Sequence, residues 1–319
     1  MKKIGEILSE EIRSIAIAGH INPDGDCIGS CTALYGYLKK ACPAAREIDL
    51  YLETVPHELR FLKGVDEAKS SVPESKVYDL VIVCDVSSYE RIAVAIPLFD
   101  LAKKTVSIDH HISNANFAEI NHVEPDASSC AEVLTGLFDP DLIDEKIAES
   151  LYTGIINDSG VFQYQNTSPD TMRKAAFLME KGIDFSRIIE DSFNKKTFAQ
   201  NRVLGYVLMK AELAFGGQCI VSSLTTEEMD RCGVTRQDLD GIVSRMRFTE
   251  GVEVAVFAYE TDENVFKLSL RSKERVNVSD VAAHFGGGGH VRAAGCTIAG
   301  SAGEVLDKMA DVLKGYLSL

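Results

Sequence analysis

No Cys-x-x-Cys pair occurs among the eight cysteines of this 319-residue chain, at positions 27, 31, 42, 84, 130, 219, 232 and 296, and none of their spacings suits a zinc ribbon. They are read as reduced thiols. No window approaches the about 18 consecutive apolar residues of a membrane span, and the two lysines after Met1 are followed by no apolar stretch of signal-peptide length. A cytoplasmic protein with no membrane partner is expected. Positive charge is scarce too: 33 Lys and Arg against 48 Asp and Glu leave a formal net charge of −15. That balance argues against the broad basic surface that long duplex nucleic acid requires, so a nucleic acid partner should be short. Internal repeats and extended polar tracts are also missing, which leaves an ordinary globular chain with 45% hydrophobic and 25% charged residues.

At about 150 residues per domain the length suggests two domains. Residues 14–20, 48–52, 80–84 and 105–108 are short, nearly continuous apolar runs separated by helical or loop segments, the pattern of a buried parallel sheet. Ile28, Cys31, Leu34, Tyr35 and Leu38 have helical spacing after the first run, and helices are predicted at 131–138, 145–156, 169–181 and 185–193. An amphipathic stretch, 198–212, reads as a helix connecting the domains. Beyond it, Gly216-Gly217 signals a hairpin between 211–215 and 218–224, 253–259 pairs naturally with 266–270, and helices are predicted at 237–247, 278–285 and 302–317. The expected class is α/β, with a mainly parallel sheet first and a smaller mixed sheet second.

Acidic and histidine residues gather where the runs stop: His20-Ile21-Asn22-Pro23-Asp24-Gly25-Asp26, then Asp85, then Asp109-His110-His111. Ligands of parallel sheets collect beyond the carboxyl ends of strands, so these stretches meet at one edge. Without cations such a gathering is repulsive, and two divalent ions would neutralise it and serve phosphoryl chemistry. Singly, each has a plainer account. Pro-Asp-Gly is a common turn and Asp26 a helix cap, Asp85 a turn aspartate, and Asp158 in Asn157-Asp158-Ser159-Gly160 a turn residue closing a helix. Together, four aspartates and two histidines make an oxygen-rich, partly imidazole set suited to Mn²⁺ or Mg²⁺ more than to zinc, with manganese favoured. In the second half, Gly286-Gly287-Gly288-Gly289-His290 reads either as a loop whose backbone closely approaches a ligand or as a flexible tip. Arg271, ending a predicted strand, offers a forked guanidinium to a phosphate, although isolated arginines are mostly solvated. His57, His122 and His284 are given no role.

These motifs, in this order, closely resemble the DHH phosphoesterase family. Gly19 to Ser30 resembles its first motif, Asp85 the second, Asp109-His110-His111 the one that names it, Asp158-Ser159-Gly160 the fourth, and the segment 286–290 the signature of its DHHA1 domain. The resemblance implies a DHH catalytic, metal-binding domain at 1–195, a helical linker at 196–212 and a DHHA1 substrate-binding domain at 213–319. It implies one manganese ion on His20, Asp24 and Asp85, and another on Asp26, Asp85, His110 and Asp158, with Asp85 bridging. Asp109 would orient its neighbours, His111 would face the substrate phosphate or leaving oxygen, and Arg271, Gly288, Gly289 and His290 would contact substrate from the other side of a cleft between the domains. Within the family the chain is similar to the short bacterial nanoRNase and pAp-phosphatase type. The implied activity is hydrolysis of short oligoribonucleotides to mononucleotides and of 3′-phosphoadenosine 5′-phosphate (pAp) to AMP and phosphate. A cyclic-di-AMP or pApA phosphodiesterase and a catalytically silent nucleotide-binding module are the alternatives, and the assembly is left open to a homodimer.

Overall fold

The computed structural model describes residues 3–8, 11–73 and 75–317, which form two compact units, one ending at Lys195 and the other beginning at Lys196. The first is built on a wholly parallel five-stranded sheet. Its strands are β1 (Ser14–Ala18), β2 (Glu47–Tyr51), β3 (Leu80–Cys84), β4 (Thr105–Asp109) and β5 (Ile120–Val123), in the order β2-β1-β3-β4-β5. Alternate residues of the central strands enter different cores. Ile15, Ile17, Leu80, Ile82 and Val106 share one core with helices α1 (Gly25–Ala41), α3 (Cys130–Leu137) and α4 (Glu145–Asp158). Ala16, Ala18, Val81 and Val83 share another with Ile92 and with Leu98 and Phe99 of α2 (Ile96–Leu101). Because both faces are covered, residues pointing either way are apolar, and the strands read as continuous runs. Helices α5 (Pro169–Met179) and α6 (Phe185–Ile189) complete the unit.

Helix α1, which begins with Asp24 as its cap and Asp26 on its first turn, is fixed against α4 by close backbone contact. A Cβ on Gly29 would stand 2.5 Å from the Ser150 carbonyl oxygen and 2.9 Å from the Gly154 nitrogen, and one on Gly154 would stand 2.7 Å from Asp26 Oδ1. Alanine at position 29 would gain about 1 kcal/mol of helix propensity. Overpacking against backbone costs about 1–3 kcal/mol and should win. Gly29→Ala is therefore expected to unfold at lower urea concentration than the wild type, and an unchanged midpoint would show that these helices part freely.

In the second unit α7 (Phe198–Lys210) precedes a six-stranded mixed sheet of β6 (Glu212–Ala214), β7 (Cys219–Leu224), β8 (Val254–Asp262), β9 (Val265–Ser272), β10 (Gly288–His290) and β11 (Ala293–Ala299). The order is β10-β11-β9-β8-β7-β6, with β7 and β8 parallel and the other neighbours antiparallel. One face packs on α10 (Val278–Ala283) and α11 (Ala302–Leu313), the other on α7, α8 (Thr226–Cys232) and α9 (Ile242–Arg247). No helix among the described residues is long and apolar enough to cross a membrane.

Several elements differ from the sequence reading. The stretch expected to link the domains is helical only to Lys210 and is packed into the second unit, its Val203 and Val207 sharing a core with Ile220 and Leu224. The predicted helix 237–247 is a 3-10 turn, Arg236–Leu239, and then α9, because Gly241 takes a left-handed φ of 81° between them. Residues 288–290, read as loop, form the edge strand β10 against β11. Strand β5 was not expected, since Asn121 and His122 interrupt its apolar pattern at a half-buried edge. Strand β11 was missed because small residues and Gly295 give it little β propensity, and helices α2 and α8 were missed because each is shorter than two turns.

Candidate metal centre

The carboxyl edge of the first sheet brings together His20, Asp24, Asp26, Asp85, Asp109, His110, His111 and Asp158. β1 delivers His20, whose Nδ1–H donates to the Ile21 carbonyl at 2.7 Å, leaving Nε2 directed at Asp85 Oδ2, 3.4 Å away, and Asp24 Oδ1, 3.8 Å away. Asp24 is the N-cap of α1, and its Oδ1 accepts from the amides of Asp26 and Cys27, both at 3.1 Å. Asp26 sits on the first turn of that helix and is fully buried. Ser30 of its own helix donates Oγ–H to Oδ1 at 3.2 Å, and the rest of its hold comes from another helix: Oδ2 accepts from the Cys130 amide at 2.7 Å and Oδ1 from the Ala131 amide at 3.0 Å, at the N-terminus of α3.

The chain leaves β3 with the Asp85 amide still donating to the Ile108 carbonyl, and Asp85 then takes a left-handed φ of 62°. An aspartate tolerates that conformation better than most residues, and it turns the carboxylate into the cluster. Asp109, at the end of β4, has both oxygens occupied. Oδ1 accepts from the His110 amide at 2.8 Å and from His111 Nδ1 at 2.7 Å, and Oδ2 accepts from Asn114 Nδ2 at 2.6 Å. It is a carboxylate used up in orienting its neighbours. His110 Nε2 lies 3.2 Å from Asp158 Oδ2, 3.5 Å from Asp85 Oδ1 and 3.9 Å from Asp26 Oδ2. Asp158 is the last residue of α4. After it, Gly160, Val161 and Phe162 have φ of 58°, 54° and 63°, a left-handed turn that costs roughly 1–2 kcal/mol for each non-glycine residue. Buried Ser159 holds that turn, its Oγ donating to Ile155 O at 2.6 Å and accepting from the Phe162 amide at 3.1 Å.

The protonation pattern follows from five carboxylates and three imidazoles in one place, with Asp26, Asp85 and Asp109 buried and Asp24 at the open side. Burial, then the charges of Asp85 and Asp158, holds Asp26 well above the ordinary carboxylate range, and burial also raises Asp158 despite its contact with His110. Burial opposes charge on the histidines, but the carboxylates facing them outweigh it. Asp24 and Asp85 raise His20 well above its usual range, Asp158 and Asp85 push His110 up to about 12, and Asp109 raises His111. A cation binding here would displace those protons, so metal binding and proton release are coupled.

Whether the residues suit a metal is decided by Asp85. Its Oδ1 is buried without a hydrogen-bond donor, and the residue is only 3% exposed. His110 Nε2 and His111 Nδ1 stand 3.5 Å from it without completing a hydrogen bond, and a cation beside it would satisfy it in full. Around it, the ligand atoms of Asp26, His110 and Asp158, and those of Asp85, Asp109, His110 and His111, lie within 4.8 Å of one another. The donor set is mostly oxygen with imidazole, and it fits divalent ions.

Residues 14–155 match the family model described as the DHH family N-terminal domain, and residues 216–319 match the DHHA1 domain. The chain is 31% identical over 302 residues to the Thermus thermophilus bifunctional oligoribonuclease and PAP phosphatase NrnA, covering 94% of this chain and 89% of the relative. It belongs to the DHH phosphoesterase family. The Bacillus subtilis protein of the same name is 27% identical over 291 residues, covering 89% of each chain. The crystal structure of an exopolyphosphatase-related protein from Bacteroides fragilis superimposes with a TM-score of 0.89 at 26% identity, over 97% of this chain and 94% of that one.

Asp158 lies just beyond the residues matched to the DHH domain, and its place in the cluster is given by geometry alone. Arg271, Gly288, Gly289 and His290 lie in the DHHA1 unit, the first on β9 and the other three on β10, with β11 between the two strands. Ala293 of β11 pairs with Arg271 of β9 and with His290 of β10, so the register puts all three on one face. Gly289 has a φ of 148°, and a Cβ there would meet the Ala293 carbonyl oxygen at 2.5 Å, so only glycine fits.

Sequence reasoning missed the residues that brace the DHH cluster. Asn114 Nδ2 donates to Asp109 Oδ2 and to the Val86 carbonyl at 3.0 Å, tying the ends of β3 and β4. Asn166 Nδ2 donates to the carbonyls of Asp158, at 3.1 Å, and Ser128, at 3.0 Å. Buried Glu132 accepts from the Ser128 amide at 2.9 Å, Ser128 Oγ at 2.7 Å and Thr171 Oγ1 at 2.8 Å, and pairs with Lys174 at 3.3 Å. Asn114 alone carried a signal, three residues after the histidine pair, in the type of side chain that bonds nearby backbone.

Proposed function

We propose that the chain hydrolyses short oligoribonucleotides to mononucleotides and pAp to AMP and phosphate, in the cytoplasm, with two divalent cations, manganese foremost. The buried, undonated Asp85 oxygen at the centre of the cluster carries this reading, and the names of the relatives give the substrate class. His20, Asp24 and Asp85 would hold one ion, and Asp26, Asp85, His110 and Asp158 the other. Bound there, the ions supply charge neutralisation and Lewis acidity toward a phosphoryl group. The protein's own residues do the rest. Asp109 keeps His111 in one orientation, so that the imidazole can give a proton to the departing oxygen as water adds to phosphorus and the phosphorus–oxygen ester bond breaks. Arg271 would neutralise charge on the phosphoryl oxygens, with Gly288, Gly289 and His290 beside it in binding the substrate.

One preparation assayed with Mn²⁺ against pAp, a ribo-pentamer, pApA, cyclic-di-AMP and pyrophosphate tests the reading. Turnover of pAp and the pentamer is expected to dominate. Dominant turnover of cyclic-di-AMP or pApA would replace it with a second-messenger phosphodiesterase, and inactivity on all five would point to a silent binding module.

A further inference from the structure

Arg91 has no part in the ligand and substrate contacts proposed above, yet it stands at the metal centre. It lies on the 3-10 stretch Tyr89–Ala95, in the loop that Asp85 opens. The backbone there is pinned twice: the Arg91 N–H donates to the Ser88 carbonyl at 3.1 Å, and its carbonyl accepts from the Ile21 amide at 2.9 Å, tying this loop to the one that carries His20. Its side chain is exposed but turns onto the centre, with Nη2 3.5 Å from Nδ1 of buried His20. That nitrogen cannot accept from it, because its proton is already given to the Ile21 carbonyl. Nor does a carboxylate answer the guanidinium. Asp24 and Asp85 face His20 Nε2, the adjacent Glu90 is engaged by its own amide and by Ser88, and Glu53 accepts from the Asn22 amide at 3.2 Å. Among the described residues Arg91 makes no ion pair. Surface arginines are ordinarily just solvated. In a chain with 48 Asp and Glu against 33 Lys and Arg, however, one fixed beside an acidic centre with no anion of its own is placed to receive one.

We infer that Arg91 binds a second phosphate of the substrate, across the ribose from the one being hydrolysed, and so makes the centre selective for nucleotides that carry both. The ion proposed on His20 sits at Nε2, and the guanidinium meets the ring at Nδ1, so the two stand apart by about the width of an imidazole. Phosphates bound at those two places are neighbours along one short substrate: the 3′- and 5′-phosphates of pAp, or successive phosphates of an oligonucleotide. The planar fork of arginine suits such a phosphate, taking two of its oxygens with parallel N–H donors. The inference rests on the proposed function, and it gives Arg91 a different phosphate from the one that Arg271 would neutralise.

Adenosine 3′-phosphate tests it, because it differs from pAp only in lacking the 5′-phosphate. The wild type should prefer pAp, and Arg91→Gln should shrink the ratio of kcat/KM for pAp over that for adenosine 3′-phosphate by roughly tenfold to a hundredfold, the scale of hydrogen bonds to a charged group. Most of the change should fall on KM for pAp. Where adenosine 3′-phosphate is not turned over, its inhibition constant against pAp hydrolysis gives the same comparison. The Arg91 carbonyl rather than its side chain holds Ile21, so that anchor survives the substitution. Arg46, exposed ahead of β2 at the opposite edge of the sheet, controls for net charge, and Arg46→Gln should leave the ratio unchanged. An unchanged ratio in Arg91→Gln, with both substrates weakened equally or neither weakened, would overturn the inference and leave the hydrolytic reading standing. Equal shrinkage in Arg46→Gln would overturn it too, by reducing the effect to long-range charge. Wild-type protein inactive on both pAp and the ribo-pentamer would overturn the proposed function and the inference with it.

Discussion

Asp85→Asn should abolish hydrolysis, by about three orders of magnitude or more, and remove the stabilisation that bound Mn²⁺ gives the wild type. The loss of activity follows from removing the carboxylate that both proposed metal positions share, since metal-assisted charge stabilisation is worth several kcal/mol and each 1.4 kcal/mol is about tenfold in rate. In the metal-free protein the same carboxylate faces three imidazoles, His20 Nε2 at 3.4 Å and His110 Nε2 and His111 Nδ1 at 3.5 Å. Its neutralisation leaves their charge with fewer partners and should lower the melting temperature of the metal-free protein as well. Calorimetry of the metal-free proteins, followed by melting with Mn²⁺, separates the effects: the wild type should be stabilised by the ion and the variant scarcely at all. A variant that Mn²⁺ stabilises as much as the wild type would sink the account of Asp85 as a shared ligand, and a metal-free variant as stable as the wild type would mean that repulsion from Asp26 and Asp158 outweighs the histidine pairs.

The largest loss of stability is expected from Glu132→Ala. Glu132 is 2% exposed and receives the Ser128 amide, two hydroxyls and the Lys174 ammonium. Truncation leaves that buried amide and the two hydroxyls without their acceptor, while Lys174 keeps Asp170 at 2.9 Å, a loss of about 2–4 kcal/mol. In a unit of this size it should lower the melting temperature by roughly 4–12 °C. The disturbance should also reach the metal centre, because Ser128 shares Asn166 with the carbonyl of Asp158. Weaker metal binding should therefore accompany the lower melting temperature, and Glu132→Gln, which keeps shape and one acceptor, should restore part of both. Metal affinity at the wild-type level in a folded Glu132→Ala protein would sever the proposed connection between this network and Asp158.

The contrast between these two residues shows what a sequence makes legible. Asp85 was readable because a buried parallel strand announces itself as a continuous apolar run, and the first charged residue after Leu80–Cys84 must lie at the sheet's functional edge. The same logic reached His20 and the 109–111 cluster. Glu132 and Asn166 were not readable. Their partners lie 39 and 38 residues away in Thr171 and Ser128, and nothing in a helix-forming segment or a polar turn distinguishes a bracing side chain from a solvated one. Nor did sequence foretell the left-handed run at 160–162, since valine and phenylalanine are poor candidates for that conformation and adopt it only under the hold of Ser159 and the core. In the second unit, strands with large apolar residues were found, whereas β10 and β11, mostly glycine and alanine with Ile298 the one large apolar side chain, were visible only through their pairing.

Asp26 is gripped by the amides of Cys130 and Ala131, and an amide belongs to nineteen of the twenty amino acids. Drift in the side chains at positions 130 and 131 therefore leaves its donors in place, and proline is the one replacement that deletes either of them. Apart from the Ser30 hydroxyl, this carboxylate inherits its aim from the path of the backbone. Selection at this point acts on where α3 begins, and the two donors come with the helix start itself.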